Sequence, residues 1–541
     1  MANKTTMTGM IAGRGTALSR RDLFRNGGLL AAGLAAPAPA AKGAGKLSIG
    51  PDLYESIGVR PIINANGPIT LFSGSVMLPE VREAMSHASR RYVQIDELME
   101  AVGNRLAAIT GAEFGIVTSG CSAALVHATS ACIAGGDPER IQRLPDLSGL
   151  KDEVVAPVDS RNVYDQAVRM LGVKIINVAN EQELRAAVGP RTALVMVLAK
   201  TADRGKTLRL EQIAPIAHEQ NIPVLVDAAA EDLSIPNVHL ERGADLIAYS
   251  GGKAFRGPQS SGLLIGRKDL VKAAWLNSAP HHAFGRPMKV AKEDIMGMLA
   301  AVEMWLERDH DAERRTWSGW VDEIAASVGR VPGVKIHIER FEGIMQREPL
   351  IGIKWDSKPR MAIRWDSEKL GITGDEVYKR LYSEEPRIVL RSASGNGRKS
   401  GESSVAVVPM YMQRGDANVV AERLYSLLSA PPKSSRKSGG SSLNVAGRWD
   451  LRIDFAHGKA DHKLFFEQEG ADLSGEHRGE RTHGEIAGWV EESRILFRDI
   501  QKYEGGTFEY RFEGSVAGAS MQGEVDMGEY GLASWSAKRR G

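Results

Sequence analysis

Apolar and polar positions change rhythm along this chain. From about Pro51 to Gly266, short apolar runs alternate with amphipathic stretches such as DQAVRML and LEQIAPIAHEQ. The runs are Glu153–Pro157, Val173–Val178, Ala193–Ala199, Pro223–Ala229, Leu246–Ser250 and Gly262–Gly266. Strands this apolar have no face to give to water, so the pattern predicts a largely parallel sheet covered by helices on both sides. Pro431 to Ser442, PPKSSRKSGGSS, reads as a linker by composition. Beyond it the period becomes two: RWDLRIDF alternates Trp449, Leu451, Ile453 and Phe455, and TFEYRFEG alternates Phe508, Tyr510 and Phe512. Glycines and polar turns recur roughly every eight to twelve residues there, which predicts a meandering antiparallel barrel or sandwich.

Size and charge narrow the function classes. A chain of 541 residues exceeds one core, and about two to four domains are expected. With 43% apolar and 25% charged residues it has the composition of an ordinary globular protein. A net charge of +2 leaves no basic footprint for wrapping a nucleic acid. Cys121 and Cys132 are the only cysteines, too few for a disulfide framework or a cysteine metal cluster, and no metal site is expected. No apolar run is long enough to predict a membrane-spanning helix. The segment SRRDLFRNGGLLAAGLAAPAPAAKG carries Arg20-Arg21, then Leu23-Phe24, a short apolar run, and small-residue sites at Ala36-Pro37-Ala38 and Ala38-Pro39-Ala40. That order resembles a twin-arginine export signal over residues 1–41, and implies a folded protein delivered to the periplasm.

Ligands of parallel sheets bind at the carboxyl ends of the strands, so the residues after each predicted strand carry the most information. GAEFGIV is followed by Thr118-Ser119-Gly120-Cys121-Ser122 and a helical stretch, an arrangement that seats an anion on a helix N-terminus or simply caps the helix through Ser119 or Ser122. PVLV is followed by Asp227, either a helix cap or a partner for a cation or protonated ring nitrogen. LIAYS is followed by Gly251-Gly252-Lys253. A lysine at the end of such a strand either turns outward in a hairpin or is held in a pocket as a nucleophile. An anion seat, an acid and an amine, each at a strand exit, are what pyridoxal 5'-phosphate requires for its phosphate, its pyridine nitrogen and its aldehyde. Nucleotide cofactors lack support, since neither a dinucleotide fingerprint nor a Walker A loop is present.

The stretch GADLIAYSGGKAFRGPQSSGLLIGRK resembles the lysine segment of the pyridoxal-phosphate family of bacterial selenocysteine synthase and D-glucosaminate-6-phosphate ammonia-lyase. RPIINANGPITLFSGSVMLPEVREAM, RPMKVAKE and EEPRIVL are similar to its N-terminal, downstream basic and small-domain segments. The resemblance covers about residues 52 to 430. It implies the aspartate-aminotransferase fold, a mostly parallel α/β large domain plus a small α+β domain, assembled as a homodimer or larger. It also implies that Lys253 carries the imine, that Asp227 pairs with the pyridine nitrogen, and that Ser119, Gly120, Cys121, Ser122 and Ser250 hold the phosphate. Arg161, Arg256, Gln259, Arg286 and Lys292 become candidates for substrate or anion contacts. The expected domains are 51–290 (large), 291–430 (small), a linker at 431–443 and an all-β module at 444–541, which resembles lipocalin-like barrels appended to exported bacterial enzymes and reads as accessory.

The resemblance implies a lyase that eliminates from a β-hydroxy amino acid or amino-sugar acid to give a 2-keto acid and ammonia. Its alternatives are a seleniumtransferase-like or aminotransferase-type enzyme, or a binding protein without catalysis. An export signal stands where selenocysteine synthase carries its tRNA-binding region, which favours the lyase branch and a small-molecule amino substrate. The pair His281-His282 reads as a solvated loop, and 392–404 as a flexible one. The sequences around Trp355-Asp356 and Trp365-Asp366 read as a strand pair of the small domain.

Overall fold

The computed structural model describes residues 47–199, 208–339, 358–391, 402–431 and 443–540. The export-like segment, most of the 392–404 loop, the Trp355-Asp356 turn and nearly all of the linker lie outside them. Residues up to Pro61 form a unit of their own, whose described part contains a single short helical turn, Glu55–Ile57.

The remainder opens with a short strand, β1 (Ile63–Ala65). Seven strands then build the main sheet: β2 (Phe114–Thr118), β3 (Glu153–Pro157), β4 (Lys174–Val178), β5 (Thr192–Leu198), β6 (Val224–Asp227), β7 (Leu246–Ser250) and β8 (Gly262–Gly266). Their order is β2-β8-β7-β6-β5-β3-β4. All neighbours run parallel except β8, which is antiparallel to both β7 and β2. The reason is reach: the lysine loop 251–261 is too short for the crossover a parallel neighbour needs, so the chain must turn straight back. Helices such as Ile95–Thr110, Gly120–Ala134, Leu210–His218 and Lys292–Glu307 cover the sheet and share its core. The helix Gly120–Ala134 is apolar nearly all round because it is buried on nearly every side. The core runs on through Ile295, Met298 and Trp305, past the expected break at 290.

A second core gathers β9 (Lys335–Glu339), β10 (Arg360–Asp366), β11 (Ile388–Leu390) and β12 (Glu402–Val407) with the helices His310–Val328, Gly374–Ser383 and Asp416–Ser429. Strands β12-β10-β9 form an antiparallel sheet. Trp365 of β10 is buried and its indole N–H donates to the Ile372 carbonyl at 2.7 Å, so this WD pair is structural. Strand β1 pairs in parallel with β11, and Ala65 belongs to this second core. The N-terminal segment expected in the large domain therefore lends one strand to the small one.

The last eight strands are β13 (Gly447–Asp454), β14 (Lys459–Glu469), β15 (Asp472–Arg478), β16 (His483–Glu491), β17 (Arg494–Tyr503), β18 (Gly506–Ala517), β19 (Ser520–Asp526) and β20 (Leu532–Arg539). They form a closed antiparallel barrel, with β20 paired back onto β13. Period two becomes inside and outside: Trp449, Leu451, Ile453 and Phe512 are all buried in a core separate from the other two.

Candidate active site

Strands β6 and β7 end side by side, β2 ends on the far side of Gly262 at the start of antiparallel β8, and the residues after the three meet. The turn after β2 enters the helix Gly120–Ala134 through Gly120, whose φ of +83° only glycine adopts without strain. Ser119 stands at the N-cap but its side chain makes no capping bond, so the simple capping role is not the one it plays. The first amide groups of this helix are thus open to an anion, with the Ser119 and Ser122 hydroxyls beside them. Gly262 of β8 lets this turn lie directly on the sheet: a Cβ there would sit 2.4 Å from the Gly120 carbonyl carbon and 2.6 Å from the Cys121 nitrogen.

Asp227 ends β6 almost wholly buried, at 4% exposure. Its Oδ1 accepts the Ala229 N–H at 3.0 Å and faces the Cys121 thiol at 3.8 Å. Burial pushes the Asp227 carboxyl above the usual range, while the Ala229 N–H and the positive charge of Lys253 pull it back. Burial and the nearby Asp227 raise the Cys121 thiol well above its ordinary value, which keeps it protonated and unreactive. What Cys121 offers is its backbone N–H.

Lys253 follows β7 and half-buried Ser250 in a loop built from glycines. A Cβ on Gly251 would meet Ser261 Oγ at 2.1 Å, and one on Gly252 would meet the Gln259 Cα at 2.6 Å. The loop backbone is thus packed tightly at both glycines, and Lys253 itself is half-buried. Its amine lies 5.8 Å from the ring centre of Tyr164, a residue of the segment that follows β3. Burial, then the charge of Asp227, raises the Tyr164 phenol. Tyr164 was not singled out from the sequence, although it too follows a strand exit, and the same rule would have found it.

The other candidates divide. Arg256 lines the cleft that opens beside Lys253, together with Asp232, Arg308, Lys358 and Tyr411. Its φ of +55° is a conformation a bulky residue takes only when its surroundings enforce it. Arg308 is neutralised by Glu313 at 2.8 Å and Lys358 by Asp232. Burial pushes Glu313 up, but bonds from His310 and Arg308 outweigh it and hold the carboxyl at about 2. Arg256 Nε donates to the Val76 carbonyl at 3.2 Å, and among the described residues its guanidinium has no carboxylate within ion-pair distance. Burial, then Arg308, lowers its pKa. It is the cation of this cleft best placed to receive an anion. Arg308 and Lys358 are cleft residues with no signal in the sequence, since the connections that carry them, after the helix Lys292–Glu307 and before β10, hold no motif.

Gln259 braces the loop, donating to the Thr70 carbonyl at 3.1 Å and packing against Gly74 and Gly252. Arg161, expected to meet an anion, has its guanidinium engaged by Asp165, Asn177 and, at 2.8 Å, Glu504. Its donors are taken by the chain itself. Arg286 is exposed and Lys292 pairs with Glu293, and neither lines the cleft. His281 is fastened to the Trp275 carbonyl at 3.0 Å and to Asp96 at 3.3 Å, and so is not a solvated loop residue.

The donor set fits pyridoxal 5'-phosphate. The uncapped helix N-terminus matches a phosphate, the buried carboxyl of Asp227 a ring N–H, and the amine of Lys253 an aldehyde, with Tyr164 as an aromatic face.

Comparison with known proteins agrees. The aminotransferase class-V family matches residues 83–285. D-Glucosaminate-6-phosphate ammonia lyase of Salmonella typhimurium is 31% identical over 63% of this chain and 89% of its own. The 5'-C-glycyluridine monooxygenase-decarboxylase of a Streptomyces species is 33% identical over 52% of this chain and 72% of its own. L-Seryl-tRNA(Sec) selenium transferase of Moorella thermoacetica is 26% identical over 53% and 63%. A solved structure of D-glucosaminate-6-phosphate ammonia-lyase superposes with a TM-score of 0.58 at 27% identity, covering 70% of this chain and 98% of that one. The chain belongs to the family of pyridoxal-phosphate-dependent enzymes that includes D-glucosaminate-6-phosphate ammonia lyase.

Proposed function

We propose that the protein is a pyridoxal-phosphate lyase acting on a β-hydroxy amino acid or amino-sugar acid, which loses water across Cα and Cβ and then ammonia by hydrolysis to leave a 2-keto acid. The observation that carries this reading is the meeting of Lys253, buried Asp227 and an open helix N-terminus beside a cleft lined by Arg256, whose guanidinium has no carboxylate partner among the described residues. The bound cofactor supplies an electron sink for a carbanion at Cα. Lys253 anchors it at rest and, once displaced by the substrate amine, is the base at hand for the Cα proton. Asp227 keeps the ring nitrogen protonated. Arg256 orients an acidic group of the substrate, and the low-dielectric walls around Asp227 strengthen each of these contacts.

The Streptomyces relative gives a second reading weight, because a monooxygenase-decarboxylase stands at similar identity. Incubation of the holoenzyme with a panel of β-hydroxy amino acids and 2-amino-2-deoxy sugar acids, with and without a terminal phosphate, separates the two. Equal yields of ammonia and 2-keto acid without oxygen uptake are expected. Oxygen consumption with release of carbon dioxide would put the decarboxylase reading in its place, and retention of nitrogen in the organic product would favour a transferase.

Export to the periplasm through the twin-arginine segment and assembly as a homodimer or larger belong to the same proposal. The first rests on Arg20-Arg21 and the small-residue sites after them, the second on the family. Cell fractionation and light scattering on the purified holoenzyme test them: retention in the cytoplasm contradicts export, and a monomeric mass contradicts assembly.

A further inference from the structure

The barrel is separated in sequence from the cleft, yet the tip of one of its hairpins rests on the segment that carries Tyr164. Between β17 and β18 the chain turns at Glu504 and Gly505. Glu504 accepts from Arg161 Nη2 at 2.8 Å, and the Arg161 side chain is only 10% exposed. Gly505 lies so close that a Cβ on it would meet the Asn162 carbonyl oxygen and an Asp165 carboxylate oxygen, each at 2.3 Å. Tyr503 receives Arg169 over its ring at 5.5 Å. The contacted stretch, Arg161 to Arg169, contains Tyr164, whose ring faces Lys253.

The hairpin is held stiff from within. Behind its tip, Asp499 of β17 accepts from His477 of β15 at 2.9 Å, and Gln501 donates to Asp499 at 2.8 Å while meeting Thr482 in the β15–β16 turn. Asp499, Gln501 and His477 are buried and bonded to one another, so this end of the barrel is a fixed body. A second foothold lies on the small domain, where Arg511 of β18 reaches Asp375 at 3.6 Å.

We propose that the β17–β18 turn is a positioning element of the active site: Glu504 and Gly505 clamp the Arg161–Asp165 segment and thereby hold the Tyr164 ring against the Lys253 face. The barrel is then part of the catalytic architecture. This rests on the reading of the Lys253 cleft as the cofactor site.

Gly505→Ala is the direct test. Gly505 does not have a positive φ, so alanine there strains the docking contact and not the hairpin itself. Glu504→Gln, which keeps shape and removes charge, is the second variant, and Lys502→Ala, exposed on the same hairpin, is the control. Hydrogen exchange on the full-length apoprotein should show residues 158–169 exchanging about tenfold faster or more in Gly505→Ala, less so in Glu504→Gln, and unchanged in the control. The affinity for pyridoxal phosphate and the circular dichroism of its visible band should fall in the same order. Unchanged exchange at 158–169 in both variants would overturn the clamp. Faster exchange with an unaltered cofactor band and affinity would overturn its link to the site. A wild-type chain that binds no pyridoxal phosphate would sink the functional reading and with it the positioning role, while the exchange data alone would still decide the docking.

Discussion

Asp227 carries two opposed demands. Buried and above the usual carboxylate range, it must ionise inside the protein if it is to pair with a protonated ring nitrogen. Below the ordinary carboxylate pKa the group is neutral in folded and unfolded chains alike, and its contribution to stability is whole. As pH rises through the elevated folded value the unfolded chain ionises more readily, and that stability is lost. Near neutral pH the apoprotein is therefore expected to gain from Asp227→Asn, with a higher melting temperature, while turnover falls. The cofactor reverses the order: pyridoxal phosphate should raise the melting temperature of the wild type more than that of the variant. Scanning calorimetry of both proteins, with and without cofactor, reads this, and an equal gain in the two would reduce Asp227 to a strand-end cap. Lys253, Asp227 and the Ser119–Ser122 turn were legible in the sequence because each breaks a local rule, polar chemistry where an apolar run ends. Arg161 was misjudged because its acceptor Glu504 lies far along the chain, in a module whose own pattern gives no hint of where it docks.

Elements were legible where periodicity is strong. Strands β3, β7 and β8 begin and end where the apolar runs do, and β6 stops earlier than its run because Asp227 turns back on the Ala229 N–H. The largely parallel sheet follows from runs with no polar face; the reversed direction of β8 follows from the shortness of the lysine loop. Strand β1 was not legible in its place, since INA is too short to show a period and its partner β11 comes hundreds of residues later. The barrel declared itself by alternation, and closure over sandwich was decided by β20 reaching β13, a long-range pairing no local pattern records. Gly262 and Gly505 mark the same limit at two contacts, because a glycine in sequence does not say which backbone will press against it.

From Ile62 onward, two cores line the cleft and a third stands behind it: the large sheet brings the lysine, the acid and the anion seat, the small domain lends Lys358 and Tyr411 to the wall, and the barrel clamps the Tyr164 segment. All of this hangs on Lys253 being the residue that bonds the cofactor. The most direct measurement is the ultraviolet–visible spectrum of the full-length protein with pyridoxal phosphate, followed by borohydride reduction and peptide mapping by mass spectrometry. A visible band that borohydride removes marks a lysine-bound cofactor, but the decisive reading is the map: the reduced pyridoxyl mass should sit on the peptide containing Lys253, and both band and label should vanish in a folded Lys253→Ala variant. A borohydride-fixed label on another lysine, or a band that persists in Lys253→Ala, would contradict it.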